Sequence, residues 1–240
     1  MLSRNEVKYI QSLFHKKNRN VEGLFIAEGV KIIHELIDAH FNIKKIYALR
    51  EWIELNPEIK YITEVNADEL AKISRLETPN KVLAIVEKKA LSVIPDLRNK
   101  VTILLDGIQD PGNMGTIVRT ADWFGIENII ASTDTADIYN PKVIQATMGS
   151  IARVNIFYEN LETFLQDTGI DVFGAMLNGE DITKLVKPNE CLLVVGNESK
   201  GIRQNIQPYI QKIISVGKKG NAESLNAAVA TGIILWKLTA

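Results

Sequence analysis

Cysteine is nearly absent from this 240-residue chain, where Cys191 stands alone. A single thiol excludes an internal disulfide framework and any zinc site built on four cysteines. It fits a reducing compartment. Histidine is almost as scarce: His15, His34 and His40 are scattered over expected helices or their ends. Helical packing explains them better than metal ligation, so no metal is expected. No apolar run is long enough to span a bilayer. The opening residues MLSRNEVKYI lack the apolar stretch of a secretory signal. The expected location is therefore the cytoplasm, with no membrane partner. The dinucleotide pattern GxGxxG does not occur. A P-loop fails too: Gly196 and Gly201 have its separation, but Ile202 stands where lysine is required. There is no internal repeat and no low-complexity tract.

Charge of either sign is also not in excess, since the net value is −1. Its distribution says more than its sum. Residues 1–100 hold 17 basic and 14 acidic side chains, against 11 and 15 in the remainder. Within the first nineteen residues Arg4, Lys8, Lys16, Lys17 and Arg19 face Glu6 alone. A local basic face of this kind can hold phosphates without a basic protein around it. A solvated helix face accounts for the charge equally well.

What is present is a regular alternation of strand and helix signals in a chain that is 46% hydrophobic. In the first part, Val7, Ile10, Leu13 and Phe14 predict a helix over 4–17, and a second helix is expected over 30–39. Strands are expected over 43–49, 60–65 and 82–86, with Asn66 capping a helix that runs through 75. The stretch 91–100, with Pro95 and mixed charge, reads as a linker. The boundary is placed near 96, giving domains 1–95 and 96–240. In the second part, strands are expected over 101–105, 128–131, 154–157, 172–176, 192–195 and 213–216. Helices are expected from about Asn113, from Asn140-Pro141 to Met148, near 161–167 and 202–207, and from Ser224 to 238. The predicted fold class is α/β: a small α/β domain, then a mostly parallel sheet with helices on both faces.

Three strand–loop–helix stretches carry the chemistry. In LDGIQDPGNMGTIVRTADWFG, residues 105–125, a strand ends in a polar turn and feeds a helix that carries Asn113 and Arg119. Either these two form part of a site, or Asn113 merely caps a helix and Arg119 pairs with Asp122 or Asp106. In LLVVGNESKGI, 192–202, a strand runs into a loop with Gly196, Asn197, Glu198 and Gly201; a plain surface loop remains the alternative. In ISVGKKGNAESLNAAVATGIIL, 214–235, a third strand meets a glycine loop and then a helix rich in small residues. A serine cap accounts for Ser224 but not for Asn226. In a parallel sheet all three loops lie on one edge, where open α/β sheets bind ligands. The residues alone reach a nucleotide-type crevice with an arginine, a glutamate, two asparagines and a serine.

Taken together and in this order, the three stretches resemble the motifs of the SpoU (TrmH-type) RNA methyltransferases of the SPOUT superfamily. The segment NPKVIQATMGS, 140–150, looks like that family's linking segment. More loosely, FIAEGVKII, 25–33, and TPNKVLAIVE, 78–87, look like the ribosomal-protein-like RNA-binding domain that often precedes the catalytic one. The resemblance implies a trefoil knot in the C-terminal part and a homodimer. It implies S-adenosylmethionine as cofactor, cradled by Met148, Gly149, Leu177, Gly196, Asn197, Gly201, Ile214, Val216, Gly217, Leu225 and Asn226. The implied reaction is methylation of a ribose 2′-hydroxyl in rRNA or tRNA. Asn113, Arg119, Glu198, Ser224 and Asn226 would form the catalytic constellation. Lys8, Lys16, Lys17 and Arg19, with Arg119, would contact RNA. A base-directed relative and a non-catalytic RNA-binding module are the alternatives.

Overall fold

The apolar runs become ten strands in two sheets. The computed structural model describes residues 1–240 and divides them into two units. Unit one comprises Met1–Ala90 and Asp137–Ala152; unit two comprises Leu91–Ala136 and Arg153–Ala240. The segment 137–152 therefore clusters with the N-terminal unit although it follows the expected linker. No helix is long and apolar enough to cross a membrane.

In unit one, β4 (Val82–Glu87) lies between β1 (Leu24–Glu28) and β2 (Ile43–Ala48), antiparallel to both, and β3 (Ile62–Glu64) extends β2 in parallel. On one face Ile26, Tyr47, Leu83 and Ile85 join Ile10 of α1 (Arg4–Ser12) and Leu70 and Ile73 of α5 (Ala67–Ile73) in a continuous core. Asn66 caps α5 in a reciprocal box with Glu69: its Oδ1 accepts the Glu69 amide at 2.9 Å. Helices α3 (Val30–Asp38) and α4 (Arg50–Glu54) complete this part of the chain. In the later segment, α7 (Pro141–Thr147) has Pro141 in its first turn and the Asn140 side chain accepting the Lys142 amide at 2.9 Å.

The helix expected over 4–17 is two helices, α1 and then α2 (Lys16–Glu22). Bonded to the chain at this break is Arg19, which the charge pattern places on the surface. Arg19 is 2% exposed. Its guanidinium donates to the Leu13 and Phe14 carbonyls at 3.1 and 2.8 Å, and to Asp137 at 2.5 Å. Those carbonyls are ones a helix end leaves unpaired. Arg19 is thus corrected from a phosphate contact to an internal tie, because a buried charge must be paired and hydrogen-bonded.

Unit two is one six-stranded sheet in the order β10-β8-β9-β5-β6-β7, parallel at every pairing. Its strands are β5 (Val101–Asp106), β6 (Asn128–Ser132), β7 (Asn155–Glu159), β8 (Val172–Asp181), β9 (Cys191–Gly196) and β10 (Lys212–Ser215). Strands buried on both faces read as unbroken apolar runs, which is why they were legible. Leu104, Ile130, Leu192 and Val194 pack with Leu161 and Leu165 of α8 (Leu161–Gln166). The alternate residues Ile103, Leu105, Leu193 and Val195 point to the opposite face and are equally buried. Helices α6 (Pro111–Trp123) and α9 (Ala227–Thr239) pack together. Gly232 faces Thr120, where a Cβ would make an ordinary contact with Thr120 Cγ2 at 3.6 Å. Two helix expectations change. Residues 202–207 form turns ahead of a single 3₁₀ turn, Gln207–Tyr209. The last helix begins at Ala227 rather than at Ser224.

Two outcomes follow. Replacing Arg19 by Met leaves Asp137 with little exposure and without its ion-pair partner; urea unfolding is expected to show a loss of about 3–5 kcal/mol. The Arg19→Met/Asp137→Leu pair should recover much of it, and an additive double variant would disprove the tie. Cys191 is fully buried on β9, and desolvation pushes its thiol up to about 12. In the native protein at pH 8 it should resist iodoacetamide, with labelling seen by mass spectrometry only after denaturation.

Candidate active site

The site starts from the carboxyl end of β5. Asp106 closes an otherwise apolar strand and is 1% exposed. Arg203 answers that charge from the chain beyond β9. Its backbone amide donates to Asp106 Oδ2 at 2.8 Å, its Nε to Oδ1 at 2.5 Å, and a terminal nitrogen pairs with the same carboxylate. The other terminal nitrogen lies 3.5 Å from Asp134. Asp134 in turn accepts the Ser132 hydroxyl at 2.7 Å, and Ser132 Oγ accepts the Gly107 amide at 2.9 Å. The Ser132 hydrogen bond, reinforced by Arg203, holds the Asp134 carboxyl below its usual range. The ends of β5, β6 and β9 are therefore clasped together. Sequence reading missed this clasp; its one signal was a carboxylate at the end of the run VTILLD.

The clasp places two loops side by side. Asn197 Nδ2 donates to the Gly107 carbonyl at 2.9 Å, and Asn197 Oδ1 accepts the Ser199 and Lys200 amides at 3.0 and 3.2 Å. Asn197 and Gly201 also pair through their backbones. Gly196 is required here: a Cβ would lie 2.3 Å from the Gly201 carbonyl carbon. This tight loop presents Glu198 to solvent. Asp110 caps α6 by accepting the Asn113 amide at 2.7 Å, which leaves the Asn113 side chain free to bridge. Its Nδ2 donates to Glu198, and its Oδ1 accepts Asn226 Nδ2 at 2.7 Å. Asn226 spends its own Oδ1 as the cap of α9, accepting the Ala228 and Val229 amides at 3.0 and 3.2 Å. Asn113, Glu198 and Asn226 thus form one hydrogen-bonded chain that joins the three sequence stretches.

Arg119 does not touch that chain. It lies on the exposed side of α6, two turns in, with no hydrogen bond or ion pair. Both acids proposed as its neutralising partners are taken: Asp122 pairs with Arg153 at 2.8 Å, and Asp106 with Arg203. Of the four arginines in unit two, Arg98, Arg153 and Arg203 are ion-paired and Arg119 alone is not. Ser224 and Leu225 are exposed in the loop before α9 and make no hydrogen bond to the cluster.

The expected cofactor residues from Leu177 onward belong to unit two. β10 pairs with β8 in two stretches, Ile213 opposite Gly174 and Ile214 opposite Glu180, so β8 bows out between them. Ser215 Oγ donates to the Gly179 carbonyl at 2.9 Å across this crossing, and a Cβ at Gly179 would meet the Ile213–Ile214 backbone at 2.6 Å. Ile214 is buried, Val216 half-buried and Gly217 exposed. Leu177 and Leu225 are apolar yet 67% and 45% exposed. Met148 and Gly149 belong to unit one; Met148 holds a left-handed φ of 52° and is partly exposed. Lys8, Lys16 and Lys17 are exposed on unit one. No group of three or more His, Cys, Asp or Glu side chains is arranged to hold a metal ion.

The chain has clear relatives among known proteins. Residues 100–236 match the SpoU rRNA Methylase family, and residues 4–84 match an MRM3-like substrate binding domain. The 23S rRNA (guanosine(2553)-2′-O)-methyltransferase RlmP of Bacillus subtilis is 28% identical, over 97% of this chain and 95% of that protein. A structure from Porphyromonas gingivalis, assigned to the TrmH family of RNA methyltransferases, superimposes with a TM-score of 0.89 at 33% identity, covering 99% and 98% of the two chains. An AdoMet-bound rRNA methyltransferase from Sinorhizobium meliloti gives 0.88 at 30% identity, covering 99% and 96%. With its family match spanning more than half its length, the chain belongs to the SpoU rRNA methylase family and is an RNA methyltransferase.

Proposed function

We propose that this enzyme moves a methyl group from S-adenosylmethionine to a ribose 2′-hydroxyl of rRNA or tRNA. Residues 96–240 would carry out the transfer, and residues 1–95 would hold the substrate. The observation that carries the reading is the Asn113–Glu198–Asn226 chain, with an unneutralised Arg119 on the same helix as Asn113. Three motif loops bound into one unit are what a pre-organised site requires.

The residues present fit the cofactor. The exposed Leu177 and Leu225 offer apolar contact to a nucleoside. The backbone of Gly196–Gly201 and the Ile214–Gly217 strand end offer amides and carbonyls at close range, because glycine keeps side chains out of the way. When bound, S-adenosylmethionine supplies a methyl group already activated on sulfonium. The chain's own work is then to position the ribose and manage its proton. Arg119 would bind the phosphate beside the target ribose and stabilise the negative charge that develops on the 2′-oxygen. A guanidinium resists deprotonation, so it serves that charge better than it serves as a base. Asn113, Glu198 and Asn226 hold the loop ends in register, with Ser224 at the mouth of the third. Orientation of this kind converts much of the barrier into binding already made.

Further features support finer parts of the reading. The bowed β8–β10 crossing is consistent with the family's trefoil knot in the C-terminal part. A homodimer is supported by Val229, Ile233 and Trp236, which recur at helical spacing on α9 and are 51%, 36% and 61% exposed; Trp123 of α6 is 85% exposed. Clustered apolar exposure of this kind marks an association surface. A single buried thiol suits the cytoplasm.

The primary experiment is transfer of labelled methyl from S-adenosylmethionine to unmodified total RNA. Arg119→Ala should lower the rate about 10²–10³-fold with an unchanged melting temperature, and Arg119→Lys should recover only part. Label must also confer resistance to alkaline cleavage at one nucleotide; label without it would mean base methylation. Separately, Trp236→Glu with Ile233→Glu should convert a dimer to a monomer by light scattering after gel filtration. A wild-type monomer would remove the dimer from the proposal.

A further inference from the structure

The correction at Arg19 leaves open which groups of unit one meet RNA. Its four arginines are Arg4, Arg19, Arg50 and Arg75. Arg19 is tied to Asp137, and Arg50 to Glu54 at 2.9 Å. Arg4 and Arg75 have no ion pair. Only Arg75 is fixed in place: its guanidinium lies over the Phe14 ring, 4.8 Å from the centroid. Phe14 sits at the corner between α1 and α2, half-buried against the core that α1 and α5 share. Arg75 follows the end of α5, so the fold brings the two together from 61 positions apart in sequence.

The acid bonded to the Arg75 backbone makes no ion pair with its guanidinium. Glu28 is 4% exposed and accepts the Ser74 hydroxyl at 2.5 Å and the Arg75 backbone amide at 3.2 Å, leaving the guanidinium outside. Beyond Phe14 and the cap residue His15, the exposed Lys16 and Lys17 open α2, and neither has an ion pair or a side-chain hydrogen bond. A planar cation backed by an aromatic ring, with two unpaired lysines opening the helix that follows that ring, matches unpaired nucleotides. The outer face of the guanidinium can stack on a base while the lysines take the flanking phosphates.

We infer that Arg75 stacked on Phe14, with Lys16 and Lys17, is a docking platform for a single-stranded or looped segment of the RNA substrate. This rests on the RNA-modifying reading above but names the contact and its mode. The platform is remote in sequence from the methyl-transfer motifs, so it should govern RNA affinity and leave chemistry alone.

The test is filter binding of the full-length protein to an unmodified 23S rRNA transcript across a salt series, with methyl transfer to the same transcript measured in parallel. Arg75→Ala should weaken binding about tenfold or more and raise KM for RNA, with kcat, S-adenosylmethionine affinity and melting temperature unchanged. Arg75→Lys separates stacking from charge: it should fall close to Arg75→Ala. Lys16→Gln/Lys17→Gln should reduce the slope of log affinity against log salt by roughly 1.5. Wild-type affinity in Arg75→Ala, or full recovery in Arg75→Lys, overturns the stacking platform. An unchanged salt slope removes the lysines from it. A wild-type protein that binds the transcript and shows these losses but transfers no methyl would leave the platform standing and overturn the transfer reading. Wild-type transfer with normal KM in every variant would do the reverse.

Discussion

A single buried carboxylate organises the site. Asp106 ends β5 inside the sheet, where an unpaired charge would cost several kcal/mol or force protonation. Arg203 removes that cost with a backbone amide and two guanidinium nitrogens. The geometry leaves it little choice. To reach Asp106, the chain leaving β9 must turn back over the end of β5, and that turn is the Gly196–Gly201 loop. Glu198 faces Asn113 because of it. Arg203 also reaches Asp134, and the hydroxyl of Ser132 links that acid to the Gly107 amide. Three adjacent strand ends are thereby locked at the edge where parallel sheets bind ligands.

Asparagine is suited to the next layer. An amide both donates and accepts, so Asn113 can give a hydrogen to Glu198 and take one from Asn226. An aspartate there would repel Glu198, and a serine would not span the gap. The role is open to Asn113 only because Asp110 caps α6 in its place. Asn226 shows the opposite division: its oxygen caps α9, and its nitrogen serves the site. One residue sets the start of a helix and the position of a functional group, so the site cannot shift without unravelling the helix end.

These features were unequally legible in the sequence. Strands of unit two were plain because burial on both faces makes an unbroken apolar run, as in VTILL and LLVV. The cap at Asn140-Pro141 was plain, but the same pairing at Asp110-Pro111 was passed over for Asn113, a second residue of capping type in the same stretch. Asn113, Glu198 and Asn226 could be singled out as polar residues in glycine loops, but their bonding could not, since it depends on loops far apart in the chain. The failures share that cause. The charge of Arg19 suggested the surface, yet its length let it reach two carbonyls and an acid more than a hundred residues away. Ser224 looked like a helix start because serine caps well, but Asn226 already bonds Asn113 and takes the cap two residues later. Arg203 gave no signal, since its partner is 97 residues distant.

The pairing of arginines with acids carries the argument from structure to function. An arginine beside a carboxylate is electrostatically quiet; one without a partner is still seeking an anion. In unit two the two acids that could have quieted Arg119 are already engaged, Asp122 by Arg153 and Asp106 by Arg203. Arg119 is left with its charge intact, and it is the arginine that the motif points to. Unit one repeats the logic, with Arg19 and Arg50 satisfied internally and Arg75 held over Phe14 with no acid to quiet it. The acidic residues of this weakly charged chain thus act as a filter. They neutralise Arg19, Arg153 and Arg203 and leave Arg119 and Arg75 without an acid, so on the proposed reading a protein of net charge −1 can still present cations to RNA.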